Sequence, residues 1–516
     1  MTNRSAAVVA AAALVLGILG DALIRATPWG INFFLWVSAG VAVVAVLYRR
    51  RRGAEPAELA LLFAPPALFA LAVAWRDAET LTAWNVLAVG LTLTLPFTRL
   101  FDIDLRLGRI ADYVAGLITT GIAVTIGPIL FVADDVQWAE VAQRGKGRTA
   151  LGVAIGIILT VPVALVFGGL LMSADPGFER LVRAVFDWDF ETIVSHVLLA
   201  AFLTWLGLGY LRTIVHGGSL AVTVPEPRSK PALGLMELGI PLGVLTVLFV
   251  AFLALQAEYL FGGEELIRRT TGITYAEHAR RGFFELVGVS VLLLPLLLAA
   301  EWVLDKRDPK VVAGFRALAG TLVVLIGLIM ASAVHRMSLY LEAYGLSQDR
   351  IYASAILLWA AVAIGWFAAT VLRGRADRFA FGAMVSGFAV LALLNVVNPD
   401  RLVVRVNVAR AEAGLELDAD YLANLSADAV PSLAGAVTAL PAESRCYLRQ
   451  RLVQTRNWDQ ATGWRVWNVA RWRARRAAND LRATSDPECS SVVDEVEGDA
   501  EAEAADEAAG ETEADR

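Results

Sequence analysis

Apolar residues fall in blocks of about 20 along the chain, separated by short polar stretches, from Ala6 to Val397. A block of that length crosses a bilayer core of roughly 30 Å as a helix. The blocks lie at 6–24, 31–48, 57–75, 80–97, 112–132, 149–172, 191–211, 235–260, 283–302, 314–334, 352–372 and 379–397. They predict an all-α fold, a polytopic helical membrane bundle of 11–12 spans. A membrane β-barrel would need short segments of strict alternation, and none is visible. The first block follows Arg4, but no small-residue cleavage site succeeds it, so it reads as a retained signal anchor.

Past Asn398 the pattern changes to short amphipathic helices. Leu417, Tyr421, Leu422 and Leu425 make one helical stripe. Further helices are expected over about 442–453 and 464–481. The chain therefore divides into N-terminal membrane helices (1–110), a membrane core (111–397), a small helical soluble domain (398–485) and a disordered tail (486–516).

Composition supports this reading: 57% of residues are hydrophobic and 19% charged, against about 45–50% and 25% for a soluble chain. The net charge of −6 hides a segregation, because 491–516 hold eleven Asp/Glu and one Arg, leaving +4 for the rest. That Ala-rich acidic tail cannot bury enough surface to fold by itself.

The arginines at 49–52 place the end of the second span, and with it the N-terminus, in the cytoplasm. The doubtful block is 112–132, with three glycines and Pro128. If it crosses, loop Lys/Arg number 16 inside and 14 outside, and the C-terminal region is cytoplasmic. If it dips in and returns, the spans are eleven, the count becomes 20 against 10, and the C-terminal region is extracytoplasmic. The second arrangement obeys the charge rule better. It would also give Cys446 and Cys489, the only cysteines, an oxidising compartment for a disulfide; two unrelated thiols are the alternative.

From Arg445 to Arg482 there are ten Arg against two Asp, with Trp464, Trp467 and Trp472 among them. Three readings stay open: a tryptophan face packed inside the small domain, an interfacial membrane helix, and, least favoured, nucleic acid.

No phosphate loop, dinucleotide fingerprint, nucleophile elbow or zinc-binding spacing occurs. Nothing calls for a cofactor or metal, and no catalytic residue is indicated. What remains are polar groups near or within spans, which carry a functional reading by default. Glu285 follows two phenylalanines inside an apolar run, and Asn395 sits in "LALLNVVNPD". In "ASAVHRMSLYLEAYGLSQDRIYA" (331–353) the span beginning near Gly314 continues as an amphipathic helix. There Arg336, Tyr340 and Tyr344 share one stripe and His335 and Glu342 a neighbouring one. Gly345 is placed to end that helix, and Ser347 with Asp349 to start the next. Glu277, Arg280 and Arg281 read as interfacial anchors at the start of a span, with a capping box from Thr274 to Glu277.

Three ordered motifs, "YLFGGEELIRRTTGITYAEHARRGFFELVGVS", "HRMSLYLEAYGLSQDRIYA" and "LNVVNPDRLVVRVNVAR…LDADYLANLSADAVPSL", resemble an uncharacterised bacterial membrane-protein family. It is the one defined by domain of unknown function 4173, with a sister group numbered 4153. The likeness runs over roughly 149–440 and implies a multi-helix protein of the bacterial plasma membrane. It implies no activity, substrate or catalytic residue. The expectation is a non-catalytic envelope or signalling component, with a protein partner at the C-terminal domain. A transporter or channel is the alternative, and a membrane enzyme acting on a lipid-linked substrate ranks last.

Overall fold

The computed structural model describes residues 3–100, 103–137, 167–168, 170–178, 180, 190–216, 233–271, 275–454, 463–484, 486 and 488–489. Among them the secondary structure is helical, with one isolated bridge between Leu233 and Leu304 and no strand. Eleven helices are long and apolar enough to cross a membrane. They coincide with eleven of the twelve predicted blocks; 149–172 falls almost wholly outside the described residues. Many large apolar side chains on these helices, such as Ile240, Val247 and Leu292, are exposed. That is the burial pattern of a protein whose surroundings are lipid. The chain is a multi-pass helical membrane protein.

Two compact units are distinguished. The first comprises residues 1–70, 89–103 and 113–223. In it α1 (Asn3–Ile24) pairs antiparallel with α2 (Ile31–Arg52): the Trp36 indole donates to Leu16 O at 3.1 Å and Asn32 Nδ2 to Leu23 O at 2.8 Å. The end of α2 meets the end of α7 (Phe190–His216), where Arg51 donates to Ile214 O. Arg52 reaches the carbonyls of Arg99 and Leu100, in and just after the last turn of α5 (Leu95–Leu100).

The segment at 112–132 does not dip and return. It is one helix, α6 (Ile110–Leu130), with Pro128 inside it and a π turn at Phe131–Asp135. A reversal inside an apolar run would strand backbone polar groups, whereas a helix satisfies its own. Two contacts hold α6 within the first unit. Near its start, Gly116 is so close to Thr98 that a Cβ would come 2.3 Å from Thr98 Oγ1. At its end, Asp135 bonds Arg212 and His216 of α7.

The second unit comprises residues 71–88, 104–112 and 224–516. Its membrane part is α8 (Leu235–Thr271), α9 (Tyr275–Val303), α10 (Pro309–Tyr344), α11 (Gln348–Thr370) and α12 (Phe379–Val397). Small residues, Ala319, Ala333 and Ala360, let these helices approach, with Phe283, Phe315, Leu322, Ile326 and Phe367 filling between them. Trp359 and Trp366 indoles donate to Ala383 O and Arg378 O and fix α11 antiparallel to α12. As expected, α10 runs past its apolar part to Tyr344 and ends at Gly345. Ser347 stands at the N-cap of α11, but its hydroxyl makes no capping bond.

The chain then forms α13 (Pro399–Glu412), α14 (Ala419–Ala423), α15 (Val430–Ala436), α16 (Ala442–Val453) and α17 (Val469–Ala483). They share a core that includes Val403, Leu422, Leu433, Leu448, Leu452 and Ala474. Cys446 of α16 is joined to Cys489, 43 residues on. The tryptophans are not the packed face of the last helix. Ala470, Arg471, Ala474, Ala478 and Leu481 face inward, while Trp464, Trp467 and Trp472 are 64, 42 and 48% exposed.

Candidate functional site: a buried polar junction

The densest polar cluster is assembled from four separated stretches: Arg76–Asp77 between α3 (Pro56–Trp75) and α4 (Glu79–Thr92), Asn395–Asp400, Ser426–Asp428, and Asn468–Arg471. Arg76 donates from Nη1 to Asp428 Oδ1 at 3.0 Å and from Nε to Asn395 O at 2.7 Å. The other Asp428 oxygen accepts the backbone N–H groups of Asp77, at 2.6 Å, and Ala78, at 3.3 Å. Asn398 Nδ2 supplies a further donor to Oδ1. Asp77 in turn pairs with Arg471 Nη1 at 2.6 Å.

Asn468 caps α17 through its oxygen and donates from Nδ2 to Val73 O and Arg76 O. These carbonyls belong to the end of α3, where no intrahelical partner exists. Asn398 takes φ +60°, a region asparagine tolerates, and caps α13 by accepting from Arg401 N. Asp400 accepts from Ser426 Oγ and from Gln348 Nε2 of α11. Arg76, Asn395, Asp400, Asp428 and Arg471 are all buried.

Desolvation sets the charges. Burial pushes the Asp428 carboxyl above the ordinary carboxylate range, opposed by the Asp77 N–H and by Arg76. Burial raises Asp77 too, against the pull of Arg471, and lowers the Arg471 guanidinium. Buried ion pairs of this kind lock a geometry more than they add net stability.

The polar residues expected from sequence are dispersed. Asn395 belongs to the junction, where it exchanges two 2.9 Å hydrogen bonds with Asn85 of α4. Glu285 is exposed on α9. His335 and Glu342 are exposed on α10, while Arg336 and Tyr340 are half-buried. Tyr340 stacks edge-on with Tyr344 at 5.2 Å and carries Arg350 over its ring at 3.9 Å. The side chains of Glu277, Arg280 and Arg281, and all of Thr274, lie outside the described residues. A cavity of about 430 Å³ between α9, α10 and α11 is lined by Phe283, Met330, Val334, Met337, Leu341 and Leu357 among others, with Ser338 and Ser354 its polar members. None of the expected polar residues lines it.

Sequence reasoning overlooked Arg76, Asp77, Asp428 and Arg471. The available signal was an Arg–Asp doublet in a three-residue link between two spans. Asp21, which reads from the sequence as a residue snorkelling to the interface late in the first span, pairs with Arg25 and His196, partners the sequence did not indicate; the buried Asp135–Arg212 pair of the first unit was overlooked. Among the described residues no group of three or more His, Cys, Asp or Glu is arranged to hold a metal ion.

A helical membrane bundle closed by a polar junction defines the class; its sequence defines the family. A family model described as a domain of unknown function (DUF4153) matches residues 63–436, and the chain belongs to that family. The match begins earlier than the motifs suggested and takes in Arg76 and Asp77. No curated protein and no solved structure matches the chain.

Proposed function

We propose that the protein is a non-catalytic component of the bacterial cell envelope, which holds its C-terminal helical domain rigidly on the ends of its own membrane helices as a platform for a protein partner. The junction carries this reading. Its buried charges are directed at each other and at backbone groups, and α13 to α17 are fastened through it to the α3–α4 link. A transporter would need a continuous polar path; Glu285 and Glu342 are exposed, and Asn395 is paired with Asn85. An enzyme would need His335, Tyr340 or Glu342 to converge on a cavity, and the cavity on α10 is apolar.

We further propose that the domain lies on the extracytoplasmic side of the plasma membrane. If α6 does not cross and 149–172 does, eleven crossings remain and the C-terminal domain lies on the side opposite Arg49–Arg52. That side also suits the Cys446–Cys489 bond.

The test is complementation of a deletion strain, scored by its envelope phenotype. Glu285→Ala, His335→Ala and Glu342→Ala should complement fully. Asp428→Ala, inserted at normal level, should fail. Loss of complementation by His335→Ala or Glu342→Ala with Asp428→Ala intact would return the chemistry to α10.

A further inference from the structure

Among the described residues after 397, the large apolar side chains left exposed are Leu415, Trp464, Trp467 and Trp472. Three of the four therefore sit on one short stretch, and the place where that stretch is fastened is informative. Asn468, directly after Trp467, donates to Val73 O and Arg76 O at 2.8 and 2.9 Å, on the last turn of the span α3. The tryptophans thus flank the point where a membrane helix leaves the bilayer. Trp75 and the half-exposed Trp84, on α3 and α4, belong to the same end. Indole rings favour that depth, with the ring in the acyl boundary and the N–H among headgroups.

Charge agrees with depth. Arg465, Arg473 and Arg476 are exposed beside the tryptophans, and α17 carries no acid before Asp480. Its opposite face, Ala470, Ala474, Ala478 and Leu481, is buried in the domain core. Trp472, Arg473 and Arg476 are therefore what α17 leaves uncovered, next to Trp464 and Trp467 in the turn before it.

We infer that Trp464, Trp467 and Trp472, with Arg473 and Arg476, form a membrane-surface anchor that takes anionic phospholipid headgroups of the leaflet at which α3 ends. The rings supply the apolar insertion and the guanidiniums pair with headgroup phosphates, bidentate in geometry. This anchor is independent of the sidedness proposed above, because it requires only that α17 be docked on a span end. It differs from the junction in using the outward face of the helix.

The test uses the full-length protein in lipid nanodiscs. The two native cysteines are bonded to each other, so a single cysteine at Trp467→Cys or, in a second variant, Trp472→Cys takes an environment-sensitive fluorophore alone. In phosphatidylglycerol-containing discs the label should be quenched by a lipid bearing a nitroxide near its headgroup, and much less in discs of phosphatidylcholine only. Arg473→Gln should lower the bound-to-free ratio of the labelled face about fivefold in the anionic discs. No quenching in either disc for both variants overturns the anchor. Equal quenching in the two lipids overturns the choice of anionic headgroups. Shielding of the label by a single-stranded oligonucleotide in place of lipid quenching would assign the face to nucleic acid.

Discussion

Arg76 uses its guanidinium as a fork: Nη1 on the Asp428 carboxylate, Nε on Asn395 O and Nη2 toward Val396 O. A lysine offers one ammonium and cannot span these directions. Arg76→Ala or Asp428→Ala should cost about 3–5 kcal/mol, because each leaves the partner's charge buried and unpaired. Arg76→Lys should cost less but still lower the unfolding temperature measured in detergent. The raised carboxyls at Asp77 and Asp428 add a pH dependence whose sign is fixed. In the folded state these groups keep protons that the unfolded chain releases near 3.8. Their contribution is then fully present below that pH and is lost as pH rises through the higher folded values. Unfolding temperature should fall with pH across that window, and the slope should flatten in Asp77→Asn and Asp428→Asn. A slope of opposite sign would mean that pairing outweighs burial.

Helix ends are the scale at which sequence spoke most clearly. Gly345 stops α10 at φ +72° and ψ −166°, a conformation essentially closed to other residues. Asn407 of α13 bridges Leu346 N and O just beyond, and a Cβ on residue 345 would come 2.2 Å from its Oδ1. Gly345→Ala should therefore cost at least the 1–3 kcal/mol of backbone strain and expose the Leu346 amide to faster hydrogen exchange. The glycine was readable because a helix ending is local: an apolar pattern stops where a glycine can turn left-handed. The bounds of α16, between Pro441 and an extended Gln454, were local as well. The inward face of α17 was not. Arg471 looked like a surface cation, and its burial depends on Asp77, which lies 394 positions earlier in the chain. Likewise the Arg76–Asp428 pair joins positions 352 apart. No local pattern announces a partner at that distance, so the bundle was legible while the junction was not.

For the whole molecule, the number of crossings decides which compartment holds the C-terminal domain, and α6 decides the number. Its composition and length favour crossing, yet Thr98 meets it near one end and Arg212 and His216 meet it at the other. Those partners sit within a few turns of the groups held by Arg51 and Arg52. On the sidedness proposed above, α6 leaves the chain on the side where it entered. Reporter fusions truncated after Leu107 and after Gln137 should therefore give the same cytoplasmic signal, and a fusion after Val397 the opposite one. If the reporter after Gln137 changes side, α6 crosses and the C-terminal domain moves to the cytoplasm. Its disulfide would then lie in a reducing compartment, and the protein isolated from cells would carry two free thiols. If the pair holds, Cys446→Ser should destabilise the domain by about 2–4 kcal/mol through the freed 43-residue loop. The two measurements are linked by topology: a cytoplasmic reporter together with a persistent bond would contradict the positive-inside assignment of Arg49–Arg52 itself.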